Sequence, residues 1–128
     1  MNIVITSNSN DDYLLIESTG SNETKEGLIK HARVIYEEIV KHEFKKVLVV
    51  LSRTHLLSEL IPYFDLVKSY VDDYPPEIYE FKIAIVVAQE YKEIAESWES
   101  LCVSRGLEYH AFTLFRDAEN WLLYSDDE

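Results

Sequence analysis

Two short apolar runs, at residues 47–51 and 83–88, mark the middle of the chain. Each run is followed by a segment in which apolar residues recur every three or four positions, as they do along one face of a helix. Continuous apolar runs are typical of strands that are covered on both sides in a mostly parallel sheet. The pattern therefore predicts an α/β fold.

Weaker patterns predict the remaining elements. Residues 3–6 and 13–18 are apolar and β-branched and are separated by a polar turn, which indicates an antiparallel hairpin. Pro62 is expected to open a helix, since proline fits the first helical turn. Gly106 is expected to end another helix in a left-handed conformation. The predicted helices cover approximately residues 24–42, 62–71, 91–105 and 118–122, and a last strand covers residues 108–114.

These elements predict a single-domain layer sandwich, with a mostly parallel five-stranded sheet, an N-terminal antiparallel hairpin and four main helices. We expect right-handed crossover connections to place helices on both faces of the sheet. A length of 128 residues is typical of one domain. We assign the domain to residues 1–124, followed by an acidic tail at residues 125–128.

The composition predicts a cytoplasmic protein. Cys102 is the only cysteine, so an internal disulfide is excluded. The first residues lack the basic flank and long apolar stretch of a signal peptide. The longest apolar run, at residues 83–88, is too short to cross a bilayer, and we therefore expect no membrane insertion.

Charge narrows the classes of partner. The net charge is −12, and residues 65–128 carry 15 acidic and 5 basic side chains. An acidic surface repels phosphate backbones and anionic lipid headgroups, so we expect no nucleic-acid partner. A protein partner fits this charge better, and a basic one fits it best. The sequence does not determine the oligomeric state, and a homodimer is one of the alternatives.

The segment after the first apolar run is the main candidate site. In parallel sheets, functional residues lie just beyond the carboxyl ends of the strands. The polar residues there are Ser52, Arg53, Thr54, His55 and Ser58. A serine hydrolase would need a glycine-assisted sharp turn and a third catalytic group, and the segment has no glycine. We therefore predict no enzyme activity and no catalytic residues, and interpret these five residues as a partner-binding surface.

No spacing of residues indicates a metal or cofactor site. His31 and His42 share a helix face but are about 16 Å apart, too far to bind one metal ion. His110 is interpreted as a hydrogen-bonded structural histidine and Cys102 as a buried small apolar residue. A two-component receiver domain would need an aspartate where this chain has Ser52. We predict that the protein contains no metal and no cofactor.

An aromatic-rich segment offers an alternative function. Six aromatic residues lie between positions 63 and 81 and can form core or a contact surface. If the predicted second helix and the sheet enclose a pocket, a small apolar or lipid-like ligand can bind between them. The candidate pocket residues are Tyr63, Leu66, Val67, Tyr70 and Tyr74.

Four segments, at residues 13–17, 47–52, 81–87 and 115–122, also carry a family resemblance. The chain resembles the SpoIIAA-like proteins of the STAS-like superfamily, which are related to anti-sigma-factor antagonists and described together with SEC14-like lipid-binding domains. The resemblance implies a regulatory domain that binds a protein partner. In the antagonists, a serine in an Asp-Ser-Ser-Gly type loop after the third strand is phosphorylated. The corresponding segment here is residues 51–55, which keeps a serine at Ser52 without the aspartate or glycine.

Overall fold

The computed structural model describes residues 4–125, which form five strands and four α-helices. The strands are β1 (Val4–Ser9), β2 (Leu14–Ser21), β3 (Lys46–His55), β4 (Lys82–Val87) and β5 (Glu108–Phe112). The helices are α1 (Lys25–Val40), α2 (Ile61–Asp73), α3 (Lys92–Ser104) and α4 (Phe115–Tyr124). Short 3-10 turns at Pro76–Glu80 and Gln89–Tyr91 precede β4 and α3. The predicted strand start at residue 3 and residues 126–128 of the predicted tail lie outside the described residues.

The strands form one sheet in the order β1-β2-β3-β4-β5. β1 pairs antiparallel with β2, and the pairs β2–β3, β3–β4 and β4–β5 are all parallel. This arrangement confirms the predicted mostly parallel sheet with an N-terminal antiparallel hairpin.

The helices cover the two faces of the sheet unequally. Buried residues of α1, α2 and α3 belong to one core cluster on one face. The other face is covered by α4, whose Ala118 and Leu122 pack with Leu48 and Ala84 of the sheet. Helices do lie on both faces, but the prediction that the crossover connections place them there was wrong. The three crossovers, through α1, α2 and α3, each lead to the next strand in the same direction along the sheet. Crossovers of one hand therefore place all three helices on the same face.

Local sequence signals explain several element ends. α1 begins after Thr24, whose Oγ1 accepts a hydrogen bond from the backbone N–H of Gly27 at 2.9 Å. Pro62 lies in the first turn of α2, where its missing N–H is tolerated. Gly106 follows α3 with a φ of +86°, a conformation that suits glycine. The predicted roles of Pro62 and Gly106 are confirmed.

β3 is longer than the apolar run that predicted it, because residues 52–55 continue the strand. Up to Leu51, β3 pairs with both neighbours, and beyond that point it pairs with β2 alone. Between the pairs Glu17–Val50 and Thr19–Arg53, β2 advances by two residues and β3 by three. The extra residue is a β-bulge in β3, and it changes which side chains face inward.

The aromatic-rich segment contributes mainly to the core. Tyr63, Tyr70, Tyr74 and Phe81 are buried, whereas Phe64 and Tyr79 are exposed. Leu66 and Val67 complete the buried face of α2. Cys102 is fully buried, which confirms its interpretation as a packing residue. Its burial raises the pKa of the thiol far above the ordinary value.

Candidate functional site

The end of β3 and the start of α2 form an exposed surface. Of the five polar residues singled out in the sequence, Ser52, Arg53, His55 and Ser58 are exposed. Three apolar residues continue it into the first turn of α2: Leu60, Ile61 and Phe64 are 41%, 72% and 46% exposed. We call these seven residues the contact surface. Its polar part was predicted from sequence, and its apolar part was not.

Thr54 does not belong to the contact surface, although the sequence analysis placed it there. Its side chain is 2% exposed, and its Oγ1 donates a hydrogen bond to the backbone oxygen of Ser18 at 2.8 Å. The reason is the bulge in β3. The extra residue interrupts the alternation of the strand, so that Ser52 and Arg53 are both exposed and the side chain of Thr54 points into the core.

Thr54 is part of a buried polar network. Its Oγ1 lies 3.1 Å from Ser18 Oγ, and Ser18 Oγ lies 2.9 Å from His31 Nε2. Asn22 Nδ2 donates to His31 Nδ1 at 3.1 Å, so the ring proton resides on Nε2 and points at Ser18. The four residues come from β2, β3, α1 and the segment between β2 and α1. They connect the first helix to the central strands through hydrogen bonds.

Burial determines the protonation state of this network. Desolvation lowers the pKa of His31 to about 4, so the imidazole is neutral at neutral pH. Asn22 is fully buried, and Thr24 forms the cap of α1. Sequence reasoning did not identify the pairing of Ser18 with His31. The available signal was the spacing of Ser18 on β2, which places it on the same buried face as Leu14 and Ile16.

His55 is held at the margin of the contact surface. Its Nδ1 lies 2.8 Å from the hydroxyl of Tyr91, and the two rings meet edge to face with centroids 5.9 Å apart. Its backbone oxygen accepts a hydrogen bond from Asn22 N–H at 3.0 Å. The imidazole is thus bonded to a phenol, and it does not form a serine–histidine pair with Ser52.

His110 lies at the far side of the sheet, on β5. Its Nδ1 is 2.8 Å from Glu99 Oε1, which confirms a hydrogen-bonded histidine. The same carboxylate oxygen accepts the backbone N–H of Ala111 at 2.8 Å. Glu99 thereby closes part of the outer edge of β5, where an unpaired N–H would otherwise be open to pairing with another strand.

The predicted ligand-pocket residues have different surroundings. A cavity lies between the sheet and the helices of the three-helix face, and Tyr70 and Tyr74 contribute to its wall. The other three candidates, Tyr63, Leu66 and Val67, are buried in the core next to it. The hydroxyl of Tyr63 donates to the backbone oxygen of Leu57 at 2.8 Å.

Within residues 4–125, no group of three or more histidine, cysteine or carboxylate side chains is placed to bind a metal ion. In the same part of the chain, none of the helices has the length and apolar character needed to cross a membrane.

Comparison with known proteins gives matches at the level of structure. No protein-family model matches the chain, and no curated protein sequence matches it. An anti-sigma factor antagonist from Mycobacterium paratuberculosis superposes with a TM-score of 0.62 at 10% sequence identity, over 94% of this chain and 94% of that chain. A DUF3478-family protein with a SpoIIAA-like fold from Shewanella loihica superposes with a TM-score of 0.55 at 22% identity, over 94% of this chain and 93% of that chain. Because both matches cover nearly the whole length of each chain, they identify the fold of this protein as SpoIIAA-like.

Proposed function

We propose that this protein is a non-enzymatic regulatory domain of the cytoplasm that binds a protein partner through the contact surface. The observation that carries the proposal is the cluster of exposed apolar side chains at the start of α2, beside the polar end of β3. Protein interfaces commonly have an apolar centre and a polar rim. Among the three apolar side chains of the contact surface, Ile61, at 72% exposure, gains most from being covered.

Three further observations support this proposal. The structural neighbour from Mycobacterium paratuberculosis is named an anti-sigma factor antagonist, a name that describes an effect on another protein. The only imidazole on the contact surface, that of His55, is bonded through Nδ1 to Tyr91 and has no serine partner. The net charge of −12 favours a basic partner through electrostatic steering.

Phosphorylation of this surface would act at Ser52. Its hydroxyl is exposed next to Arg53, whereas the hydroxyl of Thr54 is buried and hydrogen-bonded. A phosphate at Ser52 would bring close to two negative charges to the polar part of the contact surface. Since the surface offers no activating chemistry of its own, a separate kinase would have to transfer the phosphate. Ser52→Asp therefore tests the polar part of the surface, and Thr54→Glu would only place a charge in the core.

The test begins with a partner purified from the source organism by affinity capture and then measured by titration calorimetry. We expect Ile61→Asp to weaken binding by about 1–3 kcal/mol, because it places a charge where an apolar side chain would become buried in the complex. The variant should fold, since an acidic residue in the first turn of a helix interacts favourably with the helix dipole. Ser52→Asp should change affinity by about 1–3 kcal/mol.

The matched control is Val103→Asp. Val103 is 55% exposed and lies near the end of α3, away from the contact surface. Its replacement should leave the affinity within about 0.5 kcal/mol of wild type. The proposal is wrong if Val103→Asp abolishes binding while Ile61→Asp and Ser52→Asp bind as wild type. If the captured partner is a second copy of this chain, light scattering will show a dimer that Ile61→Asp dissociates.

A further inference from the structure

A cavity between the three-helix face and the sheet has unusual walls. Its volume is about 50 Å³, measured as the space open to the centre of a water-sized sphere. One water molecule requires roughly 10–15 Å³ by the same measure, so the cavity is several times larger than that. Its lining is mostly apolar and aromatic. Aromatic rings follow one another along the wall, with centroids 4.7 Å apart for Tyr36–Tyr74, 5.3 Å for Tyr74–Tyr70 and 6.4 Å for Tyr70–Tyr109.

Unpaired polar atoms collect around this cavity. Within residues 4–125, four buried side-chain nitrogen or oxygen atoms have no hydrogen-bond partner. They are Asn22 Oδ1, Tyr36 OH, Tyr74 OH and Trp98 Nε1. All four residues line the same cavity, and Asn22, Tyr74 and Trp98 are each less than a tenth exposed.

Such a coincidence requires an explanation, because a buried polar group without a partner costs about 1–3 kcal/mol. Elsewhere in the core, buried polar groups do pair, as Thr54 and Ser18 do at 2.8 Å. An occupant that offers hydrogen bonds to the cavity wall would satisfy these atoms. Most buried polar groups in native proteins have such a partner.

The wall also defines the charge of the occupant. The unpaired atoms are one carbonyl acceptor, two phenol groups and one indole donor. Burial raises the pKa of Tyr36, and it raises the pKa of Tyr74 to about 12, so both phenols keep their protons. The nearby imidazole of His31 is neutral, and no arginine or lysine lines the cavity. An anionic occupant would lack a counter-charge, because Glu108 is the acidic residue of the lining and would repel an anion. The four unpaired atoms are uncharged hydrogen-bonding groups, which suit a neutral occupant.

We propose that this cavity is a binding site for a small neutral molecule with a flat apolar body and one or two hydroxyl or carbonyl groups, recognised by the unpaired polar atoms of Asn22, Tyr36, Tyr74 and Trp98. The aromatic walls contact the flat body, and the polar atoms orient its substituent. The site is separate from the contact surface, so the two proposals can fail independently.

The experiment compares two probes of similar shape, p-cresol and toluene, by titration of the purified full chain. We expect p-cresol to bind at least about tenfold more tightly than toluene, because its hydroxyl pairs with the wall. Tyr74→Phe removes one of the unpaired hydroxyls. It should weaken p-cresol binding about three- to tenfold and leave toluene binding unchanged.

The matched control is Tyr63→Phe, which removes a hydroxyl that is already bonded to Leu57 and lies outside the cavity wall. This variant should bind both probes as wild type does. The proposal is overturned if p-cresol does not bind, if toluene binds equally well, or if Tyr63→Phe weakens p-cresol binding as much as Tyr74→Phe. A crystal structure grown with p-cresol that shows only ordered water in the cavity would also overturn it.

Discussion

Two adjoining buried regions of this protein differ in whether their polar side chains are hydrogen-bonded. In the network of Thr54, Ser18 and His31, each side chain is hydrogen-bonded to a neighbouring element. In the cavity, the hydroxyls of Tyr36 and Tyr74 have no partner. Asn22 belongs to both regions, because its Nδ2 bonds to His31 while its Oδ1 is unpaired.

The difference follows from what positions each side chain. Ser18 and Thr54 lie on paired strands, so the register of the sheet fixes their polar atoms within bonding distance. Tyr36 and Tyr74 are placed by the packing of their rings, which meet edge to face at 4.7 Å. Ring packing decides where the hydroxyl lies, whether or not a protein group can pair with it. Removing a polar atom should therefore have opposite consequences in the two regions.

The largest expected effect is that of His31→Leu. This change introduces an apolar side chain of similar size and removes two hydrogen bonds, leaving the amide nitrogen of Asn22 and one side of the Ser18 hydroxyl unpaired. We expect a loss of about 2–4 kcal/mol in the free energy of unfolding, measured in urea at neutral pH. The control is His42→Leu, which alters a partly exposed histidine 3.6 Å from Glu38 and should cost less than about 1 kcal/mol. Equal losses in the two variants would mean that the network adds nothing to stability.

The next effect is a pH dependence of stability. The pKa of His31 is about 4 in the folded protein and 6.5 as an unperturbed side chain. The unfolded chain therefore binds this proton more readily, and stability falls as the pH decreases from about 6.5 to 4. At pH 4.5 the loss from this residue should be about 2 kcal/mol. Carboxylates also titrate in this range, so the informative quantity is the difference between wild type and His31→Leu, which should shrink by that amount between pH 7 and 4.5. A constant difference would contradict a buried neutral imidazole.

Much of the fold was predictable because its signals are local. Continuous apolar runs identified β3 and β4 as central strands, and the recurrence of apolar residues every three or four positions identified the helices that follow them. Pro62 and Gly106 act through their own backbone, so their roles needed no tertiary information. The side of the sheet taken by each helix was missed, because it depends on the strand order and not on any one segment.

The candidate site was predictable only in part, for the same reason. Exposed Ser52 and His55 follow the apolar run at residues 47–51, which the sequence displays directly. The burial of Thr54 depends on a bulge, which is a property of the pairing between β2 and β3. The pairing of Ser18 with His31 joins residues that neither periodicity nor a motif connects. Interactions between distant elements are thus where reading of a single sequence loses information.

A smaller effect is expected for Thr54→Val, which preserves shape and removes one hydroxyl from the network. The backbone oxygen of Ser18 loses its hydrogen bond from Thr54, and Ser18 Oγ retains His31 as a partner. We expect a loss of about 1–2 kcal/mol in urea unfolding, since one buried partner remains. The matched control is Thr6→Val on β1, whose side chain is exposed and should change stability by less than about 0.5 kcal/mol. If Thr54→Val costs no more than this control, its side chain is not buried in solution.

The smallest effect, and the one that distinguishes the two regions most directly, is that of Tyr36→Phe. The buried hydroxyl of Tyr36 has no protein partner, so its removal deletes no hydrogen bond and eliminates an unsatisfied group. The ring contacts with Tyr74 and Phe81 remain possible for phenylalanine. In protein freed of small molecules, we expect a stability change between zero and about 1 kcal/mol in the stabilising direction. Tyr63→Phe is the comparison, because its hydroxyl is bonded to Leu57 and its loss should destabilise the protein by about 1 kcal/mol. If Tyr36→Phe destabilises the ligand-free protein as much as Tyr63→Phe does, the hydroxyl of Tyr36 has a partner in solution and the contrast between network and cavity is incorrect.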